Sequence, residues 1–246
     1  VRLAEKNRVP IGVKYFNPRV TYDGVNWWIS VGVEYNKELD FLPKNAGIGI
    51  DLGVKDLAIC SDDIIYININ KTKNVRKLEK KKRRLQRKVS NKYLKNKKGT
   101  SYCKTCNIIK SEKELLKLNH QLTNIRRDHT LKVVKDIVNR KPMYITIEDL
   151  NISGMMKNKH LAKLIQQQSF CDFTRVLQYK CEWKNIELRQ VNRFFPSSKL
   201  CHECGKVKKD LKLSDRIYVC ECGNIIDRDY QASLNLRDST EYKVIA

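Results

Sequence analysis

The hydrophobic and polar positions change period several times along the chain. Trp27, Ile29, Val31 and Val33 alternate with Trp28, Ser30, Gly32 and Glu34. A two-residue period belongs to a strand, and Asp23-Gly24 just before it reads as a turn. With Ile11-Gly12-Val13 as a further extended run, the pattern predicts a β-hairpin ending near Pro43. Ile48, Ile50 and Leu52 then alternate over 47–52, and further apolar runs at 56–60 and 64–69 follow short polar turns. Three strands joined this tightly predict an antiparallel meander. From residue 71 the period lengthens. Val75, Leu78, Leu85 and Val89 recur at helical spacing, and after a break at Gly99-Thr100 the spacing resumes at Leu115, Leu118, Leu122 and Ile125. It continues through Leu131, Val134 and Val138 until Lys141-Pro142 stops it, so an antiparallel helical hairpin is expected.

The apolar run 143–147 reads as a buried strand ending in Glu148. Phe170, Phe173, Leu177 and Trp183 mark an amphipathic helix. A strand at 186–191, a cysteine-rich hairpin at 201–223 and a helix at 227–236 follow. This order predicts an α/β fold, a mixed sheet with helices on its faces. There is no internal repeat.

Charge adds a partner to this picture. Lys and Arg total 50 against 27 Asp and Glu, a net charge of +23 over 246 residues. A chain this basic repels itself and favours a polyanion. Residues 71–98 hold fifteen Lys or Arg and one acid, Glu79. That density exceeds what solubility needs, so Lys80, Lys81, Arg83, Arg84, Arg87 and Lys88 are candidate nucleic-acid contacts, positioning rather than specifying. Trp27 and Trp28 are adjacent on one strand, so one of the two is expected to face the core. No uncharged apolar run approaches the roughly 18 residues of a membrane span, and the charged N-terminus does not read as a signal peptide. We therefore expect no membrane partner and a cytoplasmic location. The oligomeric state is not legible.

Nine cysteines are an odd number, and four fall in two close pairs near the C-terminus, which favours metal over disulfides in a reducing compartment. Cys201 and Cys204, then Cys220 and Cys222, read as two knuckles presenting four thiolates to a structural Zn²⁺. The second knuckle has one intervening residue, Glu221, and Gly223 is positioned to supply the tighter bend. Cys103 and Cys106 form a similar pair without a partner pair and read as reduced surface thiols. Cys60, Cys171 and Cys181 read as core fillers.

Three acids stand out by position. Asp51 lies in an apolar strand between Ile50 and Leu52, Glu148 ends a second buried strand, and Asp229 opens the last helix. An acid in such a place costs several kcal/mol unless it is paired or holds a metal. Asp62, Asp63 and Asp149 read as turn or cap residues, with Asp149 on the opposite face from Glu148.

Three segments carry a resemblance: Gly49-Ile50-Asp51-Leu52-Gly53-Val54-Lys55, Ile147-Glu148-Asp149-Leu150-Asn151 and Asp227-Arg228-Asp229. They resemble, in order, the split motifs of a RuvC nuclease domain. With Arg193-Phe194-Phe195-Pro196-Ser197-Ser198-Lys199, the stretch from about 20 to 236 resembles the TnpB (OrfB) family of insertion-sequence proteins, relatives of type V CRISPR effectors. The resemblance implies an RNase H-like (RuvC) fold: a mixed sheet with flanking helices, a basic helical-hairpin insertion and a small zinc ribbon, preceded by a β-rich remnant. It implies domains at 1–45 and 46–240, with the hairpin inserted at 71–140 and the ribbon at 197–226.

The resemblance also implies a transposon-encoded RNA-guided DNA endonuclease whose partners are DNA and a guide RNA. Asp51, Glu148 and Asp229 become its catalytic acids, holding two Mg²⁺ (or Mn²⁺) ions with Asp51 bridging. Arg193 and Lys199 flank the site edge, toward the scissile strand. Hard oxygen ligands suit these ions better than zinc.

The sequence departs from the family in three places. Gln231 stands where an Asn is usual, the second knuckle is Cys-x-Cys, and only about 46 residues precede Gly47 where a recognition lobe and most of a wedge domain are usual. The expectation is an N-terminally short form. The alternatives are a truncated, non-cleaving nucleic-acid-binding derivative or a transposition-associated DNA-binding protein.

Overall fold

The computed structural model describes residues 3–5, 7–34, 43–212 and 215–246. In chain order its elements are β1 (Tyr15–Tyr22), β2 (Trp27–Val33), β3 (Ile48–Leu52), β4 (Asp56–Cys60), β5 (Ile65–Ile67), α1 (Lys73–Lys95), β6 (Lys97–Lys98), β7 (Ser101–Tyr102) and α2 (Cys106–Asn139). They continue as β8 (Tyr144–Glu148), α3 (Ile152–Met156), α4 (Ala162–Gln168), α5 (Phe170–Lys184), β9 (Glu187–Val191), β10 (Ile217–Val219), β11 (Ile225–Asp227), α6 (Arg228–Arg237) and β12 (Tyr242–Val244). The described residues fall into two compact units: those within 1–38 and 79–121, and those within 39–78 and 122–246.

The second unit holds a six-stranded sheet in the order β12-β9-β8-β3-β4-β5. β3, β8 and β9 run parallel at its centre, β4 and β12 run antiparallel to them, and β5 pairs antiparallel with β4. The central strands are short apolar runs because a parallel strand is covered on both faces. Ile50, Ile145, Ile147 and Leu188 are accordingly buried, and they pack with Val134, Ile137, Phe173 and Leu177 from α2 and α5. The expected mixed α/β sheet is therefore present, and the β3-β4-β5 meander forms as the alternation predicts.

Strand β12 was not legible. Its sequence, Tyr-Lys-Val, is too short and polar to signal a strand. It is held at the sheet edge by pairing to β9 and by Arg189, whose guanidinium carbon lies 3.6 Å from the Tyr144 ring centre and 4.2 Å from that of Tyr242.

The first unit contains the β1–β2 hairpin and the distal halves of α1 and α2. The turn falls at Asp23-Gly24, as expected, with the Asp23 carboxylate accepting from the backbone of Val25 and Asn26. The partner of β2 is 15–22, however, and not Ile11-Gly12-Val13, which forms no strand. The sequence conceals β1 because Pro18 and the left-handed Asn17 (φ +45°) interrupt it with a register shift. The expected end of the hairpin near Pro43 lies largely outside the described residues.

The expectation that one tryptophan is buried also fails: Trp27 and Trp28 are 72% and 49% exposed. A two-stranded ribbon encloses neither face, so Trp27 packs on Tyr22 and Trp28 donates its ring N–H to Asp23 instead. The helical hairpin forms as predicted, joined through the tiny β6–β7 ribbon. Lys92 bonds Ser111 and Tyr93 bonds Glu112 across it. Cys60 and Cys181 are core residues, but Cys171 is exposed, being on the outer side of α5. Trp183, expected on the apolar face of α5, is 59% exposed and packs edge-on against Tyr179. None of the helices is long and apolar enough to cross a membrane, among the described residues.

Candidate acidic site and cysteine cluster

The parallel register brings two of the acids together. Ile48 pairs with Ile145, Gly49 with Thr146 and Ile50 with Ile147. The next residues on the two strands are Asp51 and Glu148, at one level and on one face, about 4.8 Å apart in backbone spacing. Both sit at the C-terminal ends of their strands.

Asp229 arrives from α6, and glycine decides how closely. A Cβ on Gly49 would lie 1.9 Å from the carbonyl oxygen of Ser233 and 2.4 Å from the backbone nitrogen of Arg237. Only the missing side chain lets α6 rest its backbone on β3. Residues 229, 233 and 237 form one stripe of the helix, so moving up one turn from Ser233 to Asp229 covers about 6 Å. Moving along β3 from Gly49 to Asp51 covers about 6.6 Å. The helix therefore runs antiparallel to the strand, and its first turn meets Asp51. Asp227 caps that turn, accepting from the amides of Asp229 and Tyr230.

The electrostatics follow from this crowding. Burial, then repulsion from Asp229 and Glu148, pushes Asp51 from an ordinary 3.8 up to about 7, with Arg228 partly opposing. Burial, then Asp149, pushes Glu148 up to about 7. Asp229 is held by Arg228 at 3.0 Å and by Arg216 at 3.4 Å. Burial opposes the charge of Asp51 and Glu148, whereas Asp229 already has two arginine partners, and among the described residues the three acids are not a group whose ligand atoms stand close enough for one ion. Sequence reasoning missed the two arginines as site neighbours. Arg228 adjoins Asp229 in the chain and was visible, whereas Arg216 is brought in only by the β10–β11 hairpin, with the Arg228 amide bonded to its carbonyl.

Among the other candidates, Asp149 is paired with Arg193 at 3.0 Å, at the edge of the acidic site. Lys199 is exposed, and its carbonyl accepts from Tyr218 and the Lys208 amide near the cysteine cluster. Lys80, Lys81, Arg83, Arg84, Arg87 and Lys88 are all exposed on α1 in the other unit. There Lys81, Arg84 and Lys88 line an open cleft of about 510 Å³ with Lys117, over a floor of Leu85 and Leu118. Asp62 ion-pairs with Arg140, and Asp63 takes the left-handed turn position (φ +67°).

The four knuckle cysteines converge. Their sulfurs lie within 4.8 Å of one another, with Cys201–Cys222 at 3.7 Å and Cys204–Cys220 at 3.6 Å. Tetrahedral zinc with bonds of about 2.3 Å separates its sulfurs by about 3.8 Å, so two of the pairs already stand at that spacing and the set closes on the ion with a contraction of about 1 Å at most. Among the described residues, these four are the set whose ligand atoms already stand within reach of one ion.

The short second knuckle works because both of its closing bonds tighten by one residue. In the first, the Gly205 amide bonds the Cys201 carbonyl and the Cys201 amide bonds the Lys206 carbonyl. In the second, Gly223 bonds Cys220 and Cys220 bonds Asn224. Gly205 and Gly223 take φ of +71° and +93°. Burial opposes ionisation of Cys201, but donors from the Cys204 amide, Asn224 and the Glu203 amide outweigh it and hold the thiol down at about 6. His202 lies outside the cluster, 3.7 Å from Asp238. Cys103 and Cys106 are exposed free thiols.

Comparisons with known proteins agree with this architecture. A solved Cas12f1–sgRNA–target DNA complex contains a chain of the same fold, with a TM-score of 0.62 and 18% identity, covering 88% of this chain and 43% of that one. A Streptomyces pristinaespiralis protein named "Putative RNA-guided DNA endonuclease" is 33% identical over 191 residues, 78% of this chain and 44% of its own length. An Escherichia coli K12 protein, "Putative RNA-guided DNA endonuclease InsQ", is 28% identical over 223 residues, 83% of this chain and 51% of its own. The chain thus spans about half the length of the curated relatives it matches. The family model "Cas12f1-like, TNB domain" matches residues 170–236, which include the cysteine cluster and α6. The model described as "Probable transposase" matches residues 30–159, more than half of the chain, and the protein belongs to that family, OrfB of IS605-type elements.

Proposed function

We propose that this chain is the RuvC-type nuclease part of a transposon-encoded, RNA-guided DNA endonuclease. One observation carries the reading: the β3–β8 register and the backbone contact of α6 on Gly49 bring acids from three distant segments to one strand end, where burial first, and then Asp229 and Glu148, push Asp51 up to about 7. A fold does not keep such repulsion at a strand end for stability, since an unpaired buried acid is destabilising. Asp51, Glu148 and Asp229 would hold Mg²⁺ or Mn²⁺, and the residues fit in donor type, being hard oxygen ligands, with the ion taking the place of the Arg228 and Arg216 contacts on Asp229. Bound there, the metal supplies an activated water and stabilises the leaving oxygen of a phosphodiester.

The rest of the reading concerns the chain's own groups. Arg193, beside Asp149, and Lys199 are the cations at the edge of this unit that would meet the scissile strand. The α1 cations would hold backbone phosphates without reading sequence. The cysteine cluster would take Zn²⁺ as a structural ion. The names of the relatives and the fold shared with the Cas12f1 chain support DNA and a guide RNA as partners.

The test is cleavage of DNA in Mg²⁺ by the protein with its co-purifying RNA, beside Asp51→Ala. Loss of cutting in the variant, with nucleic-acid binding retained, is expected. Equal cutting by both proteins would reject the assignment. A second reading, binding without cleavage, is favoured by one feature: Arg228 and Arg216 hold both oxygens of Asp229. It predicts retained binding and no cutting in either Mg²⁺ or Mn²⁺.

A further inference from the structure

Helix α6 has two working stripes. Residues 229, 233 and 237 face β3 and the acids. Residues 231 and 235 lie about 200° around the helix from that stripe, and both are bonded to the cysteine hairpins. Asn235, 4% exposed, donates to the carbonyls of Ser197 and Leu200 at 2.7 Å each, in the segment entering the first knuckle. Gln231, fully buried, accepts from the Asn224 side chain at 3.1 Å. The same Asn224 amide nitrogen reaches the Cys201 sulfur at 3.6 Å, and its carbonyl closes the second knuckle. The Gln231 amide nitrogen is buried without a hydrogen-bond partner among the described residues.

A buried amide with one end satisfied and the other orphaned is destabilising, so packing alone does not account for it. We propose that Gln231 is a positioning residue. With Asn224 it forms a relay that transmits the geometry of the cysteine-bound metal to the first turn of α6, and so sets where Asp229 stands relative to Asp51 and Glu148.

The chain of contacts is short. Cys201 is bonded to Asn224, Asn224 to Gln231, and Gln231 stands two residues from Asp229 on the same helical turn. A metal drawing the four sulfurs together fixes the Asn224 turn, because the Cys220 amide and the Asn224 carbonyl close the knuckle. Through Gln231 and Asn235, the hairpins then clamp α6 from the side opposite Gly49, where the backbone contact leaves no slack.

This inference rests on the acidic-site reading, and the experiment separates the two. Mn²⁺ affinity is measured by electron paramagnetic resonance on the zinc-loaded protein, Asp51→Asn, Asn224→Ala, Gln231→Met and the double variant. Zinc content is measured in each. Wild type should bind Mn²⁺ in an Asp51-dependent manner. Absence of that binding overturns the acidic-site reading and the relay with it.

Given that binding, Gln231→Met, which keeps volume but loses the amide, should weaken Mn²⁺ about 10-fold, as loss of an outer-shell partner does, with zinc content unchanged. Asn224→Ala should weaken Mn²⁺ similarly, and the double variant should be no weaker than either single one, since both break one link. Additive losses, or Mn²⁺ affinity within about twofold of wild type in both zinc-loaded single variants, would overturn the relay while leaving the acidic site standing. If Gln231→Met fails to fold, Asn224→Ala, on a partly exposed turn, decides alone.

Discussion

Replacing Asp51 by Asn tests the electrostatic argument most directly, because it removes charge and keeps shape. In the folded, metal-free protein the Asp51 carboxyl is pushed from 3.8 to about 7 by burial and by Asp229 and Glu148. In the unfolded chain it titrates near its ordinary value. A folded-state value above the unfolded one means that the carboxyl's contribution is present in full at low pH and is lost as pH rises. Below about pH 4 both states are protonated and the variant gains nothing. Between about pH 4 and pH 7 the wild type loses about 1.4 kcal/mol per pH unit relative to the variant. The difference reaches about 4 kcal/mol and then levels off. Partial solvent access lowers this, so about 2–4 kcal/mol is expected at pH 8.

Urea unfolding of both proteins at pH 5 and pH 8, zinc-loaded and without Mg²⁺, measures the difference. Asp51→Asn should be the more stable protein at pH 8 and much closer to wild type at pH 5. Adding Mg²⁺ should then stabilise wild type and leave the variant unchanged. Equal stability at both pH values, or a variant weaker at pH 8, would refute the idea that burial beside two other acids keeps Asp51 protonated toward neutral pH.

Gly49→Ala places a methyl 1.9 Å from the Ser233 carbonyl oxygen, backbone against backbone. A loss of about 3 kcal/mol or more is expected, with Mn²⁺ binding impaired, as read by thermal unfolding and titration. Cys204→Ser should abolish stoichiometric zinc, measured by metal analysis, and make the hairpins at 199–227 susceptible to protease, because a structural zinc site couples metal to folding. Changing Lys81, Arg84 and Lys88 together to Ala should reduce the salt dependence of nucleic-acid binding. The slope of log K against log salt becomes shallower by about 0.9 for each duplex phosphate that is no longer neutralised. An unchanged slope would remove the α1 cleft from the interface.

The periodicities were enough to place most elements, because each depends on neighbours three or four residues apart or on simple alternation. The β3–β5 meander, the long helical hairpin, β8, α5, β9 and α6 all follow from local pattern. Spacing alone also grouped Cys201, Cys204, Cys220 and Cys222, since two tight turns leave thiols few places to go. The same local rules miss β1, where Pro18 and Asn17 break the alternation, and β12, whose three residues carry no pattern of their own.

What tertiary structure decided is of another kind. The register of β3 against β8 sets Asp51 level with Glu148, and no local signal encodes which residue on one parallel strand lies beside which on another. The role of Gly49 becomes visible only when the backbone of α6 rests on it. Arg216 reaches Asp229, and Asn224 reaches Gln231, only through the packing of the β10–β11 hairpin against α6. These are long-range contacts between residues whose chemical types are common, so the sequence supplies the participants while packing chooses the pairs.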